Sequence, residues 1–238
     1  MDLDILGITA HPDDVELSFG GTLIAHKEMG YKTGVVDLTE GELGTRGTPE
    51  IRAAEAKKAA EILGLSVRTN LRLSDGFFEN NKTNQLKVIE QIRRFRPGII
   101  ITNAIYDRHP DHVRGSQLVE TAFFIAGLKE VKTQWEGKSQ EAYRPQKLYF
   151  CIQSITKEPD LLVDISSVIE KRRAAINAFK SQFYDSESNE PETYISSKGF
   201  MDMLEARAIN WGQKIGVKYA EGFTVRHSLG VKNLFDLA

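Results

Sequence analysis

Short apolar runs alternate with longer polar segments along the first two thirds of the chain. LDILGIT (3–9) and TGVVDLT (33–39) are typical of strands, and GIIIT (98–102) is a continuous apolar run, as expected of a buried parallel strand. VRTNLRL (67–73) is a weaker strand signal, and KLYFCIQ (147–153) is a fifth. The runs therefore predict five strands, each separated from the next by 23 residues or more.

The segments between the strands carry helical spacing and helix end signals. Pro49 suits the first position of one helix, and Gly64 follows its last periodic residue. We predict four such helices, over residues 15–29, 48–64, 85–95 and 111–126. The order β-α-β-α-β-α-β-α-β predicts an α/β fold, namely a doubly wound, Rossmann-like, mainly parallel sheet with helices on both faces.

The pattern changes after about residue 160. Two helices and a short strand-like tail are predicted there, near 166–182, 199–215 and 221–227. Two long polar segments, 129–146 and 184–198, are predicted loops, and loops of that length are usually functional or disordered. We expect a single domain over residues 1–238, with a core of 1–160 followed by the C-terminal helices and strand of 161–238.

Composition and charge narrow the class of protein. Of 238 residues, 41% are hydrophobic and 27% charged, which is ordinary for a globular enzyme or binding protein. Lys and Arg total 31 against 33 acidic residues, so no basic excess favours nucleic acid. No apolar run approaches the ~20 residues of a membrane helix, and the start, MDLDILG, is acidic where a signal peptide is basic. We therefore expect a cytoplasmic protein without nucleic-acid or membrane partners.

The tripeptide His-Pro-Asp occurs twice, at His11–Asp13 and at His109–Asp111. Composition alone predicts roughly 0.008 copies in a chain like this one. The first copy follows the first predicted strand and the second follows the fourth. Those strands are neighbours in common doubly wound orders, and ligands bind at their carboxyl ends. One such motif is typical of a helix N-cap turn, but two at facing strand ends indicate a metal site.

The two motifs and their flanks supply three imidazoles and three carboxylates, from His11, Asp13, Asp14, His109, Asp111 and His112. A catalytic zinc site takes three nitrogen or oxygen ligands from the protein and leaves one position open. Two histidines and one aspartate meet that need, and the remaining groups can act as general base and oxyanion stabiliser. The pattern by itself does not decide which of the two adjacent aspartates, Asp13 or Asp14, is the ligand.

Other classes of function compete with a metal-dependent hydrolase of this kind. A metal-dependent phosphoesterase uses the same ligand types and can hold a second metal. A sugar- or nucleotide-binding module with a structural zinc is disfavoured, because such sites usually close with four protein ligands, often cysteines. The chain has one cysteine, Cys151, in an apolar run far from the motifs, and we expect it in the core. A dinucleotide enzyme is disfavoured because the first βα turn lacks G-x-G-x-x-G.

The segments AHPDDVE (10–16) and HPDH (109–112) resemble the PIG-L/LmbE-like family of zinc-dependent N-deacetylases. TEGELGTRGTPEIRAAEAKKAAEILG (39–64) and KYAEGF (218–223) are similar to later segments of the same family. In length and in the 39–64 loop and helix, the chain resembles the deacetylases of bacillithiol biosynthesis, which act on N-acetylglucosaminyl malate. A mycothiol-type substrate is disfavoured, since Asp107 stands where those relatives have tyrosine.

The resemblance implies a role for each residue of the two motifs. His11, Asp14 and His112 would bind one Zn²⁺ per chain, and Asp13 would be the general base. His109, protonated and oriented by Asp111, would stabilise the oxyanion.

It also implies the substrate contacts and the partners. Arg52, Arg144 and Tyr194 are the implied substrate contacts, and Arg108, beside the second motif, is a further candidate. The partners would be a small amino-sugar substrate and further copies of the chain, as a trimer or hexamer. Free N-acetylglucosamine or a chitobiose-like sugar is the alternative substrate.

Overall fold

One seven-stranded sheet forms the centre of the computed structural model, which describes residues 1–184 and 189–234. The spatial order of its strands is β3-β2-β1-β4-β7-β9-β8. In chain order the nine strands are β1 (Ile5–Thr9), β2 (Thr33–Thr39), β3 (Val67–Leu73), β4 (Ile99–Thr102), β5 (Gln134–Trp135), β6 (Lys138–Ser139), β7 (Lys147–Cys151), β8 (Leu161–Asp164) and β9 (Ala220–Thr224). β5 and β6 form a separate two-stranded hairpin. The predicted doubly wound α/β fold is confirmed.

Helices cover both faces of this sheet. They are α1 (Asp14–Ser18), α2 (Gly20–Glu28), α3 (Pro49–Leu63), α4 (Lys82–Phe95), α5 (Pro110–Ile125), α6 (Ile169–Ile176) and α7 (Lys198–Lys214). Along β1 the side chains alternate: Leu6 and Ile8 pack with α4 and α5, whereas Ile5 packs with α1, α2 and α6. Within the described residues, no helix is long and apolar enough to cross a membrane.

The register of β1 brings the two His-Pro-Asp motifs together. β1 pairs in parallel with β2 on one side and with β4 on the other, and Ile8 lies opposite Thr102. Both strands end at the same edge of the sheet, so the segments that follow them are neighbours although about 100 residues separate them in sequence. The predicted adjacency of the first and fourth strands is therefore confirmed.

The predicted helix over 15–29 is wrong in one respect, because the chain breaks at Phe19 into α1 and α2. The break exposes the backbone N–H groups of Gly21 and Thr22, which donate to the carboxylate of Glu221 at 3.0 and 2.7 Å. Glu221 belongs to β9, some 200 residues later in the chain. This stabilisation of a helix start by a distant carboxylate leaves no local sequence signal.

The region after residue 160 adds strands to the same sheet. β9 pairs antiparallel with both β7 and β8, which gives the parallel sheet an antiparallel edge. β8 was not predicted, and the β5–β6 hairpin lies inside the predicted 129–146 loop. The helix predicted near 166–182 is shorter, because α6 spans only Ile169–Ile176. Of the predicted loop over 184–198, residues 185–188 lie outside the described part of the chain.

Candidate metal and catalytic site

A tight turn after β1 holds the first motif. Asp13 has a φ of 130°, a backbone conformation that residues other than glycine rarely adopt. The turn is closed by the Asp14 carboxylate, which accepts a hydrogen bond from the backbone N–H of His11 at 3.0 Å. Because of the unusual φ, the adjacent carboxylates of Asp13 and Asp14 have different surroundings, and backbone strain of this kind is common at functional sites.

The second motif starts helix α5. His109 is the N-cap residue and Pro110 the first helical residue, so the helix begins one residue before the predicted 111–126. Asp107, just before the motif, accepts hydrogen bonds from the backbone N–H of His109 at 3.0 Å and from His112 Nδ1 at 2.8 Å. Asp107 also accepts a hydrogen bond from the backbone of Ser154 at 2.7 Å. The carboxylate therefore fixes the His112 ring with Nδ1 protonated and Nε2 directed away from it.

The three motif histidines and Asp14 converge at the carboxyl edge of the sheet. His112 Nε2 lies 2.9 Å from one Asp14 oxygen, and His11 Nδ1 lies 3.6 Å from the other. The ring centroids of His11 and His109 are 4.8 Å apart, and one nitrogen from each of His11, His109 and His112 lies within 4.8 Å of the other two. Such imidazole nitrogens with a carboxylate oxygen are the ligand types of a catalytic zinc site.

Carboxylates at the second ring nitrogens of His11 and His112 also indicate a metal site. Ligand histidines in metal sites usually donate their second N–H to a carboxylate. Asp107 accepts from His112 Nδ1, while Asp75 and Asp111 lie 3.1 and 3.5 Å from His11 Nε2. This leaves His112 Nε2 and His11 Nδ1 directed at Asp14. The residues present thus fit a divalent metal held by the predicted trio of His11, Asp14 and His112.

In the chain without metal, the pKa values of His11, His112 and Asp14 show that this cluster favours positive charge. Burial opposes the charged form of His112, but Asp14 and Asp107 outweigh it and raise the His112 pKa to about 9. Hydrogen bonds with carboxylates likewise raise the pKa of buried His11 well above its usual value. The same imidazoles hold the pKa of Asp14 well below its usual range despite burial. Protons on two histidines balance the carboxylates here, and a bound cation would replace them.

Asp13 sits beside these groups but has different partners. Its carboxylate is 3.4 Å from Arg52 Nη2, which also donates to the backbone carbonyl of Pro12 at 2.9 Å. Arg52 Nη1 donates to the carbonyl of Gly41 at 3.1 Å. Burial raises the pKa of Asp13 to about 7, against the opposing effect of Arg52. A carboxylate that gains and loses a proton near neutral pH suits a general base.

The predicted arrangement of His109 needs two corrections. The Asp111 carboxylate does not contact the His109 ring; it binds Gly76 N at 2.7 Å and Arg114 Nη1 at 2.7 Å. Instead, the Asp111 backbone N–H donates to His109 Nδ1 at 3.2 Å. Burial, followed by the charges of His11 and His112, lowers the pKa of His109 to about 4. In the chain without metal, His109 is therefore neutral at pH 7, with its proton on Nε2, where it can still donate a hydrogen bond.

A cavity of about 380 Å³ opens over the motifs, and its volume suits a small-molecule ligand. Two predicted substrate contacts, Arg108 and Tyr194, line it, and the Arg108 guanidinium lies 4.4 Å from the centre of the Tyr194 ring. Arg52 also lines the cavity, but its guanidinium is engaged by Asp13 and two carbonyls. We therefore place Arg52 as a positioning residue for Asp13.

Arg144 is not part of the cavity, so its predicted role as a substrate contact is wrong. Its guanidinium donates to the carbonyl of Phe124 at 3.0 Å and packs on the Phe124 ring. Phe124 lies in the last turn of α5, whose first turn carries the second motif. A helix of 16 residues is about 24 Å long, which separates Arg144 from the site.

The sequence analysis missed four residues of the site that hold the motifs in place. Gln153 donates to Asp14 at 3.0 Å, and Asn103 donates to the other Asp14 oxygen at 2.9 Å. Asp75 and Asp107 orient His11 and His112 as described above. The signal that could have found Asn103 and Gln153 is their position, since each polar side chain closely follows a strand that borders the site, β4 and β7.

Comparisons with known proteins decide the family. The family model described as PIG-L, GlcNAc-PI de-N-acetylase, matches residues 6–123, which include both His-Pro-Asp motifs. A diacetylchitobiose deacetylase of Thermococcus kodakarensis is 29% identical over 92% of this chain and 81% of its own length. The chain belongs to the PIG-L/LmbE-like deacetylase family.

Two further relatives of this chain carry other descriptions. The crystal structure of a conserved protein from Thermus thermophilus is 37% identical, with a TM-score of 0.85 over 96% of this chain and 97% of that one. A 4-oxalmesaconate hydratase of Pseudomonas putida is 28% identical over 74% of this chain and 73% of its own length. The relatives of this chain thus include one protein named as a deacetylase and one named as a hydratase.

Proposed function

We propose that this protein is a zinc-dependent N-deacetylase of an N-acetylglucosaminide with an anionic aglycone, with N-acetylglucosaminyl malate as the first candidate. The observation that supports hydrolysis is the convergence of His11, Asp14 and His112 beside a separately held carboxylate, Asp13, at the base of a cavity. The observation that supports an anionic substrate is that Arg108 and Arg207 line that cavity. The other two arginines there, Arg46 and Arg52, are paired with Glu190 and Asp13.

His11, Asp14 and His112 would hold the zinc ion. When bound there, zinc would polarise the amide carbonyl and lower the pKa of water. Asp13 would take the proton of the attacking water, and its pKa of about 7 suits that transfer at neutral pH. The Nε2–H of His109 would donate a hydrogen bond to the oxyanion that forms on the acetyl carbon. Asp13 would then return the proton to the departing nitrogen, which leaves acetate and a free amine.

Diacetylchitobiose is the alternative deacetylation substrate, because the Thermococcus relative is named for it. Hydration is the second candidate function, because a Pseudomonas relative that aligns with 74% of this chain is named as a hydratase. Hydration also needs a water molecule beside a base, and arginines suit a substrate with several carboxylates. Family membership, in contrast, gives no support to the phosphoesterase.

A substrate screen separates these candidates. Purified protein, with and without chelator, is assayed for amine release from N-acetylglucosaminyl malate, diacetylchitobiose and N-acetylglucosamine, and for hydration of 4-oxalmesaconate. We expect chelator-sensitive amine release, fastest with the malate conjugate and about 10²–10⁴-fold slower in the Asp13→Asn variant. Hydration of 4-oxalmesaconate without release of any amine would contradict the proposal, and preference for diacetylchitobiose would reassign the substrate.

A further inference from the structure

Arg207 is a buried arginine whose charge has no partner among the described residues. It lies on α7, is 8% exposed, and lines the same cavity as the two motifs. Its Nη1 donates to the backbone carbonyl of Gln153, and its guanidinium carbon is 5.1 Å from the centre of the Trp211 ring. Over residues 1–184 and 189–234, no carboxylate forms an ion pair with it.

Other arginines in the interior of this fold have a carboxylate partner or several hydrogen bonds. Arg68 pairs with Asp37 at 2.8 Å and with Glu16, and Arg172 pairs with Glu221 at 2.8 Å. Arg93 has no carboxylate but donates to four oxygens, those of Ala126, Leu128, Val131 and Thr133. Arg207 donates to one oxygen only, within the part of the chain that the structure describes. Buried charges in proteins are normally paired or fully hydrogen-bonded, because an uncompensated charge in the interior is unfavourable.

The carboxylate that acts on Arg207 through space is Glu221, and it is already engaged. Glu221 binds Arg172 and the start of α2, and its side chain is 1% exposed. Burial and then repulsion from Arg172 lower the pKa of Arg207 to about 10, so the guanidinium remains charged at neutral pH. The positive charge is thus both present and uncompensated within the described chain.

Arg207 is connected to the candidate metal site through Gln153. Gln153, whose carbonyl it binds, extends its side chain to 3.0 Å from Asp14 and 3.4 Å from His112 Nε2. Arg108, in contrast, is exposed at the rim of the cavity, where it stacks on Tyr194. An anion bound to Arg207 would therefore lie deep in the cavity, beside the reacting groups.

We propose that Arg207 is an anion subsite of this cavity and that it binds a carboxylate. The free edge of a guanidinium matches the two oxygens of a carboxylate with parallel hydrogen bonds. The carboxylate can come from two sources, an acid group carried by the substrate or the acetate that the reaction releases. The second source rests on the proposed deacetylation; binding of a carboxylate as such does not.

The first measurement uses the unaltered binding site. Trp211 lies against Arg207 and is 4% exposed, so its indole N–H resonance reports on the subsite. The chain has two tryptophans, and the Trp135→Phe variant assigns the signal. Metal-loaded protein is titrated with acetate and, separately, with malate. We expect a saturable shift of the Trp211 signal with at least one of them; no saturable shift with either overturns the subsite, whatever the enzyme's activity.

The second measurement uses variants of Arg207. Arg207→Gln keeps an N–H donor for the Gln153 carbonyl but removes the charge. Arg207→Lys keeps the charge but cannot form the two parallel hydrogen bonds of a guanidinium. Arg226→Gln is the matched control, since Arg226 is an exposed arginine that pairs with Glu120 away from the motifs. Malate and acetate affinities should fall about 10- to 100-fold in Arg207→Gln and less in Arg207→Lys, and should not change in the control.

Activity of the same variants distinguishes the two sources. If the substrate supplies the carboxylate, Arg207→Gln lowers kcat/KM for N-acetylglucosaminyl malate about 10- to 100-fold more than for neutral N-acetylglucosamine. If acetate is the ligand, only product inhibition weakens. Equal losses on both substrates with unchanged anion affinity would show a merely structural role and overturn the subsite. Anion binding that depends on Arg207 in a protein without deacetylase activity would support the subsite while contradicting the proposed function.

Discussion

Replacement of Asp107 by asparagine tests the proposed metal site. One Asp107 oxygen accepts from His112 Nδ1 at 2.8 Å and from the His109 backbone at 3.0 Å. The other accepts from the backbone N–H groups of Ser154 at 2.7 Å and Ile155 at 3.3 Å. An asparagine side chain has only one acceptor oxygen. Whichever way the amide turns, its NH₂ group faces a pair of N–H donors, and the negative charge is lost.

The expected loss follows from that geometry. Removing a carboxylate that orients a ligand histidine typically costs 10- to 100-fold in metal affinity, or about 1.4–2.7 kcal/mol. Zinc affinity of Asp107→Asn should fall by that factor, measured by competition with a chromophoric chelator. Activity should recover when zinc is saturating, because Asp13 and the substrate contacts are unchanged. Asp164→Asn, at an exposed carboxylate on β8, is the control. Wild-type zinc affinity in Asp107→Asn would show that Asp107 does not support a zinc ligand.

Three other experiments test neighbouring parts of the site. Asp13→Asn should keep its zinc and lose about 10²–10⁴-fold in kcat, whereas Asp14→Asn should bind zinc poorly. Bound zinc and kcat are measured on the same samples. The reverse pattern would make Asp13 the zinc ligand and Asp14 the general base. Gly41→Ala should displace the Arg52 guanidinium from Asp13, because a Cβ at Gly41 would lie 1.8 Å from Arg52 Nη1. We therefore expect a lower kcat without loss of zinc. An unchanged kcat would show that Arg52 does not position Asp13. In metal-free protein, the His112 pKa is raised to about 9, so its contribution to stability is complete below pH ~6.5 and is lost as the pH rises through about 9. Melting temperatures across this range should fall in the metal-free wild type and fall less in His112→Gln; parallel curves would contradict that contribution.

The sequence predicted those features that short-range patterns determine. β2 and β3 have the predicted bounds, and α3 begins at Pro49 and ends before Gly64, which has the left-handed φ of 67° typical of a helix C-terminus. Two copies of one tripeptide after neighbouring strands indicated where the site lies. These signals are local, or follow directly from the topology of a parallel sheet.

The parts that sequence analysis missed depend on contacts between distant residues. Asp75 and Asp107 look like ordinary loop aspartates until the fold places them on the second nitrogens of His11 and His112. Arg144 had the right chemistry for a substrate contact, but the length of α5 carries its loop away from the cavity. Arg207 lies in an ordinary helical segment, and only the packed structure shows that its charge is buried without a counterion among the described residues.

The central claim is that one zinc ion, held by the two motifs, is required for amide hydrolysis. Metal-free protein is titrated with zinc while amine release from the best substrate of the screen is followed, with bound metal measured in the same samples. We predict no activity without metal and a linear rise that stops at about one zinc per chain. Full activity in metal-free protein, or zinc uptake that restores no activity, would contradict the account.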